Sequence, residues 1–325
     1  MEVVLNIKSP KVFLKYLLAV GFFLFASLAT ARASLNCFSF IPYALDKSFV
    51  SLPLDKEFCF FYSGDYTSMK TNEFGARVIA ENQSGENIIA FGESQLLGLD
   101  YSDGEGLHDL NLVFPNKNFE IYAAPNNGPY EVLSQIEHLK QKLQKDEDWL
   151  IGKNIVIGFN YGTDIFRIND GWNPEKFVPL EKNDLEKIFF IPGYHDLLLL
   201  KARIAGKKFG STVSNASKTI NYYLEISDSQ REINVERWLS KLKKNPTIRG
   251  SVKTLIIFPP YWYSAASKTL ASDIRAHFSA FSCSALKSGV FKNVWVGRIP
   301  DQNIKMAEDN RHFLTNTLNY TKLNC

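Results

Sequence analysis

Two short stretches of the sequence hold residue types at spacings that suit catalysis. The first is Gly92-Glu93-Ser94-Gln95-Leu96-Leu97-Gly98, which follows the apolar run Asn87-Ile88-Ile89-Ala90-Phe91-Gly92. A serine between a strand and a helix carries its hydroxyl to the carboxyl edge of a sheet. Its own N–H points out of the helix start, where a developing oxyanion is stabilised. The structural reading of the same position is a helix N-cap, a place serine also favours. The second stretch is Asp309-Asn310-Arg311-His312, near the carboxyl end. This spacing lets a carboxylate approach an imidazole and fix its tautomer, leaving the other nitrogen to act as a base. Of the five histidines only His312 has an aspartate three residues before it. Ser94, His312 and Asp309 are the candidate nucleophile, base and orienting acid of acyl-transfer chemistry.

Bringing the two stretches together requires a sheet. Residues 119–124, 154–159, 253–258 and, more weakly, 293–296 repeat the apolar pattern of residues 87–92. Near-continuous apolar runs of this kind suit parallel strands buried on both faces. Helical patterns alternate with them over residues 130–145, 230–244 and 266–280. In the first, Val132, Leu133, Ile136, Leu139 and Leu143 share one stripe. Residues 184–206 are helical in pattern but broken by Pro192-Gly193. The alternation predicts an α/β fold: a three-layer α/β/α domain with a doubly wound, mostly parallel, five-stranded, flavodoxin-like sheet. Residues 165–250 would hold a helical insertion. In such sheets ligands bind outside the carboxyl ends of the strands.

The amino terminus reads as an export signal. Lys8, Lys11 and Lys15 precede the apolar run from Leu17 to Ala26, and Ala31-Arg32-Ala33 has the form read by signal peptidase. Cleavage after Ala33 is the expectation and an uncleaved anchor the alternative. Either way the working part lies in the periplasm or faces it. The resulting division is 1–33 signal, 34–70 amino-terminal extension and 71–325 the α/β domain. The four cysteines, Cys37, Cys59, Cys283 and Cys325, suit two disulfides in an exported chain and allow three pairings. Local loop closure favours Cys37–Cys59 and Cys283–Cys325, with free buried thiols as the alternative. Zinc is poorly supported, because the sulfurs are scattered without a histidine cluster.

The composition, 45% hydrophobic and 22% charged over 325 residues, is that of a globular chain. The formal net charge of +3 resides in the amino-terminal 33 residues, and the remainder is balanced. A nucleic-acid partner is therefore not expected, since phosphate neutralisation needs a basic surface.

In order and spacing these blocks resemble the SGNH (GDSL-like) hydrolase superfamily. Gly92-Glu93-Ser94 is similar to its G-D-S block, and Asp309 with His312 to its D-x-x-H block. Upstream, Thr71-Asn72-Glu73-Phe74-Gly75-Ala76-Arg77 resembles the N-x-x-G-x-R segment of members acting on envelope polysaccharides. Ala124-Pro125-Asn126-Asn127-Gly128-Pro129-Tyr130 is similar to the second block and Gly162-Thr163-Asp164 to the third. The likeness spans residues 71–320 in the family's order. It departs at three places: Glu93 replaces Asp, Asn126 replaces Gly, and Thr163 replaces Asn. A backbone N–H survives at Asn126, and the Thr163 hydroxyl still donates one hydrogen bond. Asn160, at the strand end, is a rival donor.

The resemblance implies an exported serine-dependent esterase or O-acyltransferase working on O-acetyl groups of an envelope polysaccharide. Ser94 attacks, His312 moves the proton and Asp309 orients it. The N–H groups of Ser94 and Asn126, with the Thr163 hydroxyl or its rival Asn160, hold the oxyanion, and no metal or organic cofactor is needed. Arg167 would bind an anionic group of the substrate, a structural ion pair being the alternative. The implied partners are an acylated or acceptor polysaccharide and a membrane acyl-donor protein. Trp172, Tyr261, Trp262 and Tyr263 could stack on sugar rings or fill a core. Two other classes stay open: a glycan-binding or assembly protein that keeps the fold without turnover, and a purely structural envelope protein.

Overall fold

A computed structural model of the chain describes residues 14–16, 18–23, 26–27, 37–38, 44–45, 50–52, 54–55, 57–62, 65–79, 86–98, 109–124, 127–145, 149–161, 164–165, 168, 225–259, 268–298 and 319–325. Residues 14–16 and 18–23 are helical. Among the described residues no helix is long and apolar enough to cross a membrane. Five short strands follow: β1 (Cys37–Phe38), β2 (Ala44–Leu45), β3 (Val50–Ser51), β4 (Glu57–Tyr62) and β5 (Asp65–Lys70).

The chain divides into two compact units, the first made of residues 1–41, 58–66 and 182–209. There β1 runs parallel to β4, with Cys37 opposite Cys59. Cys59 is disulfide-bonded and buried.

The second unit contains the β2–β3 hairpin and the main sheet. Its elements are β6 (Arg77–Ile79), β7 (Asn87–Gly92), α1 (Ser94–Leu97), α2 (Asp109–Val113), β8 (Asn118–Ala123), α3 (Pro129–Lys142), β9 (Asn154–Asn160), α4 (Asp228–Lys244), β10 (Val252–Phe258), α5 (Lys268–Lys287), β11 (Asn293–Arg298) and β12 (Asn319–Lys322). Among the described residues the sheet has seven strands in the order β12-β11-β10-β9-β7-β8-β6. The five apolar runs are its parallel strands β7 to β11, within a residue or two of the expected bounds. Edge strands β6 and β12 pair antiparallel to β8 and β11, so the expected count of five is corrected to seven. Both edges are short, and β12 (Asn-Tyr-Thr-Lys) is mostly exposed, so neither carries the apolar run of a buried strand.

Side chains alternate between two covered faces. Ile89, Phe91, Ile155, Ile157, Phe159, Leu255 and Ile257 pack in one core with Val132 and Ile136 of α3, Trp238 of α4 and Phe281 of α5. Ile88, Ala90, Val156, Ile256 and Phe258 face the other way and are buried as well. Trp238 is wholly buried, lies against Phe159 with ring centroids 5.1 Å apart, and donates from Nε1 to the carbonyl of Pro129 at 3.3 Å. That bond ties α4 to the start of α3. The expected helices over 130–145, 230–244 and 266–280 are α3, α4 and α5, whereas the expected pair over 184–206 lies outside the described residues.

The chain's direction of travel across the sheet reverses at β7: β8 lies on one side of it and β9 on the other. Such a reversal opens a crevice at the carboxyl edge. At the far end of the sheet Cys283 of α5 is joined to Cys325, the last residue, by one of the two expected disulfides.

Candidate active site

Ser94 sits at the reversal, as the first residue of a single helical turn directly after β7. The cap of that turn is Glu93. Its backbone is extended (φ −104°, ψ −166°), and its Oε1 accepts the N–H of Gln95 at 3.2 Å. Capping does not therefore account for the serine, because the residue before it already fills that place. Ser94 is described by its backbone alone.

The turn packs unusually close to the sheet. Leu96 lies over Gly92 of β7 and Gly158 of β9. A Cβ on either glycine would stand 2.8–2.9 Å from a Leu96 side-chain carbon. Glycine in an otherwise apolar strand is what such a close approach requires.

Buried polar groups fix both ends of the turn. At its start, Glu93 is 4% exposed, and its Oε1 also accepts from Asn160 Nδ2 at 2.9 Å. Asn160 ends β9, and its backbone N–H donates to Asp164 Oδ2 at 2.8 Å. At the other end, Arg77 is 1% exposed and donates from Nη1 to the carbonyls of Leu97 (2.7 Å) and Gly98 (2.6 Å). Those are among the carbonyls that a helix end leaves without an internal partner. Gly98 closes the turn in the left-handed conformation.

The segment before Arg77 explains how that side chain arrives. Asn72 Oδ1 accepts from the N–H groups of Phe74 (3.0 Å) and Ala76 (2.9 Å), bending the chain. Gly75 has φ +81°, and a Cβ there would stand 3.0 Å from the carbonyl oxygen of Leu52. Asn72, Gly75 and Arg77 thus act jointly, forming a tight bend that delivers a guanidinium to α1.

Across β8, Tyr122 is buried, stacks on Phe91 and donates to Glu120 Oε2 at 3.2 Å. Burial first, then the Glu120 charge, pushes its phenol far above the ordinary value. It stays protonated as a structural donor. At the start of α3, Gly128 donates its N–H to Glu131 Oε2 at 3.0 Å, and both are buried.

Asn126, Thr163, Arg167, Asp309 and His312 lie outside the described residues, as do Trp172, Tyr261, Trp262 and Tyr263. Arg298 and Asn319, which flank residues 299–318, are register partners where β11 ends and β12 begins. They stand at the same carboxyl edge as Ser94.

A separate cavity of about 660 Å³ opens between α4 and α5, lined by Tyr161, Val235, Leu239, Phe281, Asp228 and His277 among others, none of them from α1. His277 Nε2 lies 3.1 Å from Asp228 Oδ2, and Arg231 also pairs with Asp228. The contact joins residues far apart in sequence, and the D-x-x-H spacing that singled out His312 gives no sign of it.

The bracing roles of Glu93, Asn160 and Gly158 are visible only in the folded chain, although Gly158 left a signal of its own, a glycine inside an apolar strand. The chain matches no protein-family model and no curated protein.

Proposed function

We propose that the chain is an exported serine-dependent acyl esterase or O-acyltransferase of SGNH type, acting on O-acetyl groups of an envelope polysaccharide. The observation that carries this reading is the braced turn beginning at Ser94. It stands at the reversal of a mostly parallel sheet, with its cap supplied by Glu93 and both ends held by buried side chains. Rigid presentation is what a nucleophile needs. The parallel strands, numbered along the chain, lie in the order 2-1-3-4-5, which supports the flavodoxin-like layout.

Chain reach is compatible with the triad. Three strand spacings separate β11 from β7, or about 14 Å at about 4.8 Å each. The residues from Arg298 to Asp309 can span up to about 36 Å. In the proposed reaction His312 takes the Ser94 proton as Oγ bonds to the acyl carbon, and Asp309 orients the imidazole. The N–H groups of Ser94 and Asn126 and the Thr163 hydroxyl hold the oxyanion. The leaving group, the sugar oxygen in the esterase case and the donor's own group in the transferase case, departs with the proton from His312, and water or an acceptor sugar hydroxyl releases the acyl group by the reverse steps. Arg167 is assigned to an anionic group of the glycan, with a membrane protein as acyl donor in the transferase case.

The test is acetate release from an O-acetylated polysaccharide and from an aryl acetate. The proposal expects turnover that falls about a thousandfold or more in Ser94→Ala. Saturable polysaccharide binding without turnover would favour the second reading, a glycan-binding or assembly protein. The specific observation on that side is the Asn160 amide, which donates to Glu93.

A further inference from the structure

We propose that Asn160 and Arg77 are positioning residues that fix the Ser94 turn from its two ends, Asn160 acting through the Glu93 carboxylate. The inference rests on the reading of Ser94 as the nucleophile. It gives Asn160 a different role from the oxyanion contact that its place at the end of β9 invites.

The two ends are built differently. At the start, one oxygen of Glu93 receives both the Gln95 N–H (3.2 Å) and Asn160 Nδ2 (2.9 Å). The helix start is thereby linked to the neighbouring strand through a single carboxylate oxygen. Asn160 is itself held, since its backbone N–H donates to the buried Asp164 carboxylate. The extra methylene that distinguishes Glu93 from aspartate lengthens the reach of the cap from β7 toward β9. At the far end, one Arg77 nitrogen donates to two successive carbonyls, so the last peptide units cannot tilt independently. All three side chains are more than nine-tenths buried, which keeps water from competing for these bonds. A turn of four residues has too little internal hydrogen bonding to hold its own geometry. Its orientation comes from these external bonds and from Leu96 pressed onto Gly92 and Gly158.

The prediction is a loss in the chemical step with binding preserved. In Asn160→Leu and Glu93→Leu the fluorophosphonate labelling rate, normalised to folded protein, falls about a hundredfold, and kcat falls while KM holds. Glu93→Gln keeps an acceptor oxygen at the same reach and rescues labelling to within about threefold. Arg77→Lys keeps one donor and sits between wild type and Arg77→Met. For any variant that does not fold, hydrogen exchange decides on the milder Asn160→Ser, where the Gln95–Gly98 amides should exchange faster than in wild type while β9 and β10 stay protected. Wild type that labels alongside leucine variants labelling equally fast, or unchanged exchange in Asn160→Ser, overturns the positioning role alone. Wild type that never labels overturns the reading of Ser94, and the role with it.

Discussion

The Asn160 side-chain amide donates to Glu93 Oε1 at 2.9 Å, joining residues 67 apart in sequence at the carboxyl ends of β9 and β7. Removing the donor leaves a buried carboxylate short of a partner, which typically costs about 1–3 kcal/mol. Asn160→Leu should lower the denaturation midpoint accordingly. Adding Glu93→Leu should recover part of the loss, because the unsatisfied group is then gone. A double variant no more stable than Asn160→Leu would refute the pairing as an energetic unit.

Gly158 gives a steric prediction. A methyl group there would stand 2.9 Å from Leu96 Cβ. Overpacking of this kind costs about 1–3 kcal/mol. Gly158→Ala and Leu96→Ala should each destabilise, and their combination should cost less than the two together, since the second removes the atoms struck by the first. Strict additivity in chemical denaturation would show that the turn does not sit on that strand.

The Cys283–Cys325 bond anchors the chain end beside β12 and closes a loop with a sequence separation of 42. Chain-entropy arguments give about 4 kcal/mol for a loop of this size, and measured values commonly fall between about 2 and 4. Cys325→Ser should reduce stability within that range under oxidising conditions, and the difference from wild type should vanish in strong reductant. Equal midpoints for both proteins without reductant would contradict the role.

Asp228, at the start of α4, has a carboxyl held below its ordinary value, first by the hydrogen bond from Arg231 and then by the nearby His277 charge. A depressed folded pKa means the unfolded chain binds more protons in that window. The contribution is therefore present above about pH 4 and lost as the pH falls through the folded value. Asp228→Asn should be less stable than wild type at about pH 7, with the gap closing near pH 2. A gap that stays constant with pH would remove the ion pair from the stability of α4.

Much of this fold was readable in advance, for physical reasons visible residue by residue. The five parallel strands announced themselves because strands buried on both faces need unbroken apolar runs, as in Asn154–Asn160. The edges β6 and β12 did not, because a three-residue strand and a mostly exposed one need no such run. Asn72, Gly75 and Arg77 stood out as a motif, yet only the folded chain reveals that the bend brings a guanidinium to Leu97 and Gly98. Glu93 looked like a departure from an expected aspartate. It is the cap of the Ser94 turn, and its partner Asn160 comes from another strand, a pairing that no local spacing encodes.

The central claim, that Ser94 is an activated nucleophile, is tested most directly by peptide mass mapping of the purified, folded protein after fluorophosphonate treatment. The account predicts a single adduct, on the peptide that contains Ser94, absent from Ser94→Ala and strongly diminished in His312→Ala and Asp309→Asn. Folded wild-type protein that carries no adduct, or carries it on another residue, would contradict the account.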